Sequence, residues 1–513
     1  MRRVTKRIFC VVLFLLVTVA VPVWAGDGSS LLSANIPFGS EIYNYISKLE
    51  GLGYLSLVAT GTKPYSRLRV AEWVLEVKGR MAAEADVPAY AQTLLGVLET
   101  EFQRELAVLR GEGSGGGLLV RGVDWANTYY EGHALAQHRT LSTYQPLNIN
   151  NDGDKYAEGL NTAFTVRIET GSHHDFVASL TPRFSYDDDE EADLTLKAGY
   201  FKTRLGNLEI QAGKEAMWWG QGERGSRVLT NNSTPQTALK LSNVSPIPLG
   251  GWLGLLRQMN ATFFYTELES DRSDVPDPSF TGLRADFSPT ADFTFAGSLT
   301  AFLGGEGHAL HGDDYWDFLI GENALTPAED KWNIIAGFDL RWRIPRWNGF
   351  QFYLELYGED QAGSLLPWPS KNAWIAGIYL PRLTPDGAWD LTIEAAETGK
   401  AWYVHSLYTN GYTYRGDLIG DAMGNDAERY YVKLTNYTPA GARWALHGEY
   451  LKMAKTSARP QEVLSCWVTF HTRICGDLLL EATAGVAEID NENFQAGKTA
   501  TNYIFSFGLT KNF

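Results

Sequence analysis

The spacing of apolar positions changes period once along this chain. Between residues 37 and 110 they recur as on a helix. Ile42, Ile46, Leu49 and Leu52 form one stripe, and Val70, Val74, Val77 and Met81 a second. Leu95, Leu98, Phe102, Leu106 and Leu109 form a third and longer one. Gly51 and Gly53 end the first helix and Pro64 opens the next turn. The pattern predicts a small bundle of about three helices within 26–110. Residues 111–117, Gly-Glu-Gly-Ser-Gly-Gly-Gly, read as a flexible linker.

From Leu118 onward the period becomes two. Leu194, Leu196, Ala198 and Tyr200 alternate with Thr195, Lys197 and Gly199. Phe293, Phe295, Gly297 and Leu299 alternate with Thr294, Ala296, Ser298 and Thr300. Phe352, Leu354 and Leu356 alternate with Tyr353 and Glu355, and Trp444, Leu446, Gly448 and Tyr450 with Arg443, His447 and Glu449. One face is apolar and aromatic; the other carries Lys, Arg, Glu and His. A soluble sandwich also alternates, but a dry core does not accept those charges, whereas a wet lumen does. The reading is a mainly β protein: a large antiparallel transmembrane β-barrel over 118–513, preceded by the helical bundle. At roughly 22 to 25 residues per strand and loop it has roughly 16 to 18 strands. Asn148 to Asp154, Ser270 to Pro278 and Gly304 to Asp314 read as outer loops, and the acidic run Asp187 to Glu191 as a solvated turn.

The two ends of the chain support the membrane reading. Arg2, Arg3, Lys6 and Arg7 precede an apolar run from Ile8 to Val23, and Val23-Trp24-Ala25 is a processing-type site. Residues 1–25 are expected to be a cleaved secretory signal peptide. Cys10 lies too early in the run for a lipoprotein signal. At the other end Tyr503, Phe505, Phe507, Leu509 and Phe513 share one parity. A final amphipathic strand ending in Phe513 is expected to engage the barrel-insertion machinery of a Gram-negative outer membrane. No apolar stretch of about 18 residues follows the signal, so helical spans are excluded.

Composition narrows the chemistry. Aromatic residues make up 13% of the chain, with 16 Trp and 25 Tyr. The formal charge is -16 and becomes about -20 once the signal's four cations are removed, which disfavours nucleic acid as a partner. The remaining cysteines, Cys466 and Cys475, suit free thiols better than a disulfide scaffold, with a bridge left open.

Enzyme motifs are absent: there is no H-E-x-x-H zinc helix, G-x-S-x-G elbow or Walker loop. His173-His174-Asp175 reads as a hairpin turn. Asn148-x-Asn150-x-Asp152-Gly153 has half of a calcium loop but Gly159 in place of the closing Glu, so it too reads as a turn. Neither a metal nor a cofactor is expected.

Two segments differ from the rest. One runs Gly213-Lys214-Glu215-Ala216-Met217-Trp218-Trp219-Gly220-Gln221-Gly222-Glu223-Arg224-Gly225-Ser226. The other runs from His405 to Gly420 and includes Tyr408, Tyr412, Tyr414 and Arg415, with Gly424-Asn425-Asp426 soon after. Aromatic faces stack on sugar C–H surfaces, and Glu, Asp, Asn and Arg bond hydroxyls, so Trp218, Trp219, Glu223, Arg224, Tyr412, Tyr414 and Arg415 are candidate polysaccharide contacts. The plainer alternative is an interfacial aromatic girdle with polar loops.

These segments resemble the capsule-assembly Wzi family of outer-membrane proteins. Trp219-Gly220-Gln221-Gly222, Val228 to Asn232, Pro246 and Pro248 match one family pattern, and Tyr408, Gly411, Tyr412, Tyr414, Gly416, Ile419, Gly420 and Asp426 match another. Ile36-Pro37, Ile46, Leu49, Leu52-Gly53 and Lys63-Pro64-Tyr65-Ser66-Arg67 extend the likeness toward the N-terminus. The resemblance implies an 18-stranded barrel with a periplasmic helical bundle. It also implies a lectin-like, non-catalytic role in holding capsular or related extracellular polysaccharide. One departure is Gln221, where the family pattern suggests Pro. Two competing classes remain, a porin-like channel for sugars or anions and an outer-membrane hydrolase.

Overall fold

The computed structural model describes residues 31–57, 60–112, 117–171, 175–189, 191–311, 314, 331–362, 368–475 and 478–513. The signal segment, His173, His174 and the middle of the glycine linker lie outside these residues.

Eighteen long strands follow one another as an antiparallel meander. They are β1 (Leu118–Glu131), β2 (Gly159–Thr170), β3 (Phe176–Asp187), β4 (Ala192–Leu205), β5 (Leu208–Lys214) and β6 (Thr237–Asn243). Then come β7 (Gln258–Glu267), β8 (Ser279–Thr290), β9 (Phe293–Leu303), β10 (Trp332–Ile344), β11 (Phe350–Ala362) and β12 (Trp368–Leu380). The last are β13 (Trp389–Thr398), β14 (Glu428–Tyr437), β15 (Arg443–Met453), β16 (Gln461–Ile474), β17 (Leu478–Asp490) and β18 (Thr499–Asn512). Strand β18 pairs back onto β1, with Trp125 opposite Leu509, so the sheet closes and no edge is left unpaired.

The two ends of the cylinder differ. On one, the connections are eight residues or shorter, apart from 244–257. On the other, the connections 132–158, 215–236, 304–331 and 399–427 all exceed 20 residues. The outer wall is ordered in the same sense. Trp342, Trp347, Trp389 and Trp444 are exposed toward the short-turn end, and Tyr129, Tyr186, Tyr265, Tyr430 and Tyr503 toward the long-loop end. Phe164, Leu180, Ile393, Val432 and Leu446 are exposed between them. An apolar band flanked by aromatic girdles is the surface lipid requires.

The two-residue alternation holds along most strands: Trp444 and Leu446 face out while Arg443, Ala445, His447 and Glu449 are buried inside. Strand β4 departs from it. Thr181 pairs with Ala198 but Pro182 with Leu196, so Lys197 is an extra, bulged residue. Beyond it the faces exchange. Leu194 and Leu196 point outward, whereas Tyr200 and Lys202 turn into the lumen and Phe201 takes the outer face. The alternation alone had placed Tyr200 with Leu194.

The N-terminal part forms four helices, α1 (Ile42–Leu52), α2 (Arg67–Ala82), α3 (Ala89–Glu101) and α4 (Gln103–Leu109). Gly53, at φ 92°, supplies the left-handed cap that stops α1, and Ser66 caps α2 by accepting the Arg69 amide. The third apolar stripe is split at Phe102, which leaves helical geometry but stays fully buried. Arg67 Nη2 donates to the Glu101 carbonyl at 2.9 Å and occupies an acceptor near the break. The helices dock at the short-turn end. Glu41 accepts from Arg443 Nε at 2.7 Å, and Lys48 Nζ donates to the Pro381 carbonyl at 2.8 Å and to Asp390 at 3.1 Å. Cys466 and Cys475 are free and exposed.

Candidate functional site

The sequence alternation predicts a wet lumen. The two singled-out segments fold into that lumen and leave polar cavities beside them. The loop 215–236, between β5 and β6, reaches the opposite wall. The Gly222 and Arg227 amides donate to Glu355 at 2.8 and 2.9 Å, and the Glu223 amide to Glu394 at 2.6 Å. At its start Trp218 and Trp219 pair with Lys63 and Thr62, and the Gly220 amide donates to the Gly61 carbonyl at 2.8 Å. Gly220 has φ +145°, and a Cβ there would meet Ser226 Oγ and Glu355 Oε1. The departure at Gln221 has a use: its amide donates to Asp339 at 2.7 Å and its side-chain oxygen accepts from Arg341 at 3.1 Å. Proline offers neither group.

The second loop, 399–427, closes over the first. The Thr230 amide donates to the Ile419 carbonyl at 3.0 Å, and the Tyr403 hydroxyl to the Arg227 carbonyl at 2.6 Å. Asp421 holds Arg227 on one side and Arg429 on the other, the latter at 2.6 Å. Burial pushes the Asp421 carboxyl up, but the two guanidiniums outweigh it and hold it below the usual range. An aromatic core joins loops and wall. Trp219 packs on Phe264 at 5.3 Å, and Tyr412 stacks on Tyr403 and on Phe302, each at 5.2 Å. The Tyr412 hydroxyl donates to Thr300 at 2.9 Å.

The seven candidate residues therefore fall into three places. Trp218, Trp219 and Tyr412 are buried inside the plug. Arg224 and Glu223 follow on the same loop, and Glu223 lines the same cavity as Trp218. Arg224 pairs with Glu449 at 2.6 Å with its guanidinium 4.6 Å from the Trp467 ring. Glu223 meets Lys433 beside an internal cavity of about 310 Å³ that Lys63, Tyr43 and Arg341 also line. Burial would raise the Glu223 carboxyl, but Lys433, Lys63 and Arg341 outweigh it and hold it at about 2. Arg415 is exposed at the long-loop surface, and Tyr414, 8% exposed, lies beneath it at the edge of the aromatic core.

There they border an open cleft of about 930 Å³ with Glu269, Asp271, Asn410 and Asp277. Arg415 is exposed at φ 50°, its guanidinium 5.5 Å from the Tyr414 ring, and its amide donates to Glu269 at 3.0 Å. The cleft's other cation is committed elsewhere. Arg272 donates to both oxygens of Asp274 at 3.0 and 3.1 Å and to the Thr413 carbonyl at 2.7 Å. Burial raises the Asp274 carboxyl, yet Arg272 and the Asn410 amide bring it below its ordinary range. Ser270 to Pro278 reads from sequence as an outer loop, and its polarity was the one available sign of Glu269, Asp271 and Asp277. The segment 148–154 is not a free outer loop: Asn231 Nδ2 donates to the Asn150 carbonyl at 2.7 Å, and the Asp152 amide to the Asn231 carbonyl at 2.7 Å.

The comparisons agree with this architecture. The family model described as Capsule assembly protein Wzi matches residues 133–504. A relative from Klebsiella pneumoniae, described as an uncharacterized 55.8 kDa protein in cps region, is 26% identical over 263 residues. That match covers 50% of this chain and 51% of the relative, so the chain spans about half the length of the curated relative it matches. Among solved structures, Escherichia coli Wzi is described as an outer-membrane protein involved in group 1 capsule assembly and a carbohydrate-binding β-barrel. It superposes with a TM-score of 0.70 at 17% identity, covering 94% of this chain and 99% of that one. OpdO of Pseudomonas aeruginosa gives a TM-score of 0.45 at 12% identity, over 77% of this chain and 96% of that one. With a family model spanning most of its length, this chain belongs to the Wzi capsule assembly family of outer-membrane β-barrels.

Proposed function

We propose that this protein retains exopolysaccharide at the outer face of the membrane by binding it in the cleft beside Tyr414 and Arg415, without catalysis. The observation that carries this is the pairing of an aromatic ring with an exposed guanidinium on an open polar cleft, above the two loops that fold into the lumen. A tyrosine ring supplies an apolar contact and a guanidinium donates hydrogen bonds to sugar hydroxyl oxygens. Each contact is weak, and a polymer offering many repeats sums them. The helical bundle then lies in the periplasm, since short turns face that side in such barrels. The carbohydrate-binding description of the Escherichia coli barrel supports the same reading.

Purified barrel with exopolysaccharide from the source strain tests it. Retention on an immobilised polymer is expected, and Arg415→Ala weakens it while heat-modifiable mobility is unchanged. Equal retention by the variant would remove the cleft from the account.

A further inference from the structure

One short-turn connection breaks the pattern of its end of the barrel. The others are eight residues or fewer, whereas that between β6 and β7 has 14, residues 244–257. From Val244 to Leu256 it holds no charged residue and reads VSPIPLGGWLGLL. Its tip, Gly251–Leu256, winds into a 3-10 helix that leaves Trp252 75% and Leu255 85% exposed. These are among the largest exposures of any large apolar side chain among the described residues. A solvated turn of this kind would lose several kcal/mol of favourable transfer, by the usual ~25 cal/mol per Å² of apolar surface.

The surroundings say what covers it. The tip lies against β8, and toward the short-turn end of that strand Phe287 packs on Phe295 of β9 at 5.0 Å. Ile247 pairs with Met259, which shares the outward parity of Phe263 and Tyr265 yet is buried, unlike them. The turn thus continues the lipid-facing wall, at the level where Trp342, Trp347, Trp389 and Trp444 form the tryptophan girdle. Arg257, exposed at the end of the tip, is placed as a headgroup-facing cation.

We infer that residues 249–256 are a lipid-inserted foot, with Trp252 and Leu255 buried in the headgroup–acyl boundary of the periplasmic leaflet. Its occupant is phospholipid, because the exposed surface is continuous with the band that already faces acyl chains. The foot widens the barrel's hold on one leaflet beyond what the strands provide.

A depth measurement on the full-length protein tests this. Leu255→Cys, in a Cys466→Ser and Cys475→Ser background, carries an environment-sensitive fluorophore and is folded into phosphatidylethanolamine–phosphatidylglycerol vesicles. Trp252→Cys provides a second labelled site, and Gly497→Cys, on a loop at the opposite end, an aqueous reference. Blue-shifted emission is expected at 252 and 255, with several-fold stronger quenching by shallow nitroxide lipids than at the reference and protection from iodide. Free quenching by iodide without quenching by lipid overturns the inference. So does shielding from both quenchers, which would mean that protein covers the foot.

Discussion

Arg227 and Asp421 form a fully buried ion pair between two loops that lie 194 residues apart in sequence. Arg429, on the barrel wall, shares the same carboxylate and also reaches Glu394 at 3.2 Å. The wall and both loops are thereby tied at one point, where Arg429 begins its strand at the long-loop end.

Removing one partner leaves the others charged and buried. Asp421→Ala is expected to destabilise the plug by about 3–5 kcal/mol, the usual cost of an uncompensated buried charge. The wild-type barrel is expected to be silent in planar bilayers, whereas Asp421→Ala should show intermittent conductance. Steady stepwise conductance from the wild type would restore the porin reading.

Trp219 and Tyr412 are buried in the aromatic core of the plug, so their loss belongs to folding. Trp219→Ala is expected to cost about 3–5 kcal/mol and to lower the thermal midpoint. Arg415→Ala lies at the surface and should leave the midpoint within experimental scatter, whereas Tyr414→Ala, at a side chain only 8% exposed, should lower it. They should weaken polymer retention about tenfold, in line with roughly 1.4 kcal/mol of lost stacking and cation–π contact. If Trp219→Ala alone abolishes binding at unchanged stability, the assignment reverses.

Gly220 sits where a side chain would enter Ser226 and Glu355. Gly220→Ala should destabilise by more than the ~1 kcal/mol typical of an exposed glycine change, because both φ and packing oppose it. Equal melting curves for the two proteins would show that the loop has room to shift.

Docking of the helices should weaken in acid. Burial pushes the Glu41 carboxyl up, but Arg443 and His471 outweigh it and bring it from 4.5 to about 2. A folded value below the unfolded one means the stabilisation is complete above pH 4.5 and is lost as pH falls toward 2. The effect is at most on the order of 3 kcal/mol. Glu41→Gln should flatten that part of the stability profile, read by hydrogen exchange in α1. An unchanged slope would assign the acid sensitivity to other carboxylates.

Alternation of period two determined which residues of each strand meet lipid. Trp444, Leu446, Phe505 and Phe507 are exposed as their parity requires, because a strand offers only two faces. The stripes at Ile42, Ile46 and Leu49 likewise gave helix α1, since 3.6 residues per turn leaves one buried side. The bulge at Lys197 was invisible to that logic: its partner strand, not its own sequence, sets the register. The loops were the other limit. Trp219 and Tyr412 stand in segments with no period, and the same composition suits a sugar platform, a girdle or a packed core. Only the closed cylinder, which brings Glu355, Glu394 and Arg429 around the loop amides and Asp421, decided that they turn inward. It also left Arg415 at the surface, over the buried ring of Tyr414. Backbone amides inside a barrel need partners, and those of Gly222, Glu223 and Arg227 are more than a hundred residues away along the chain.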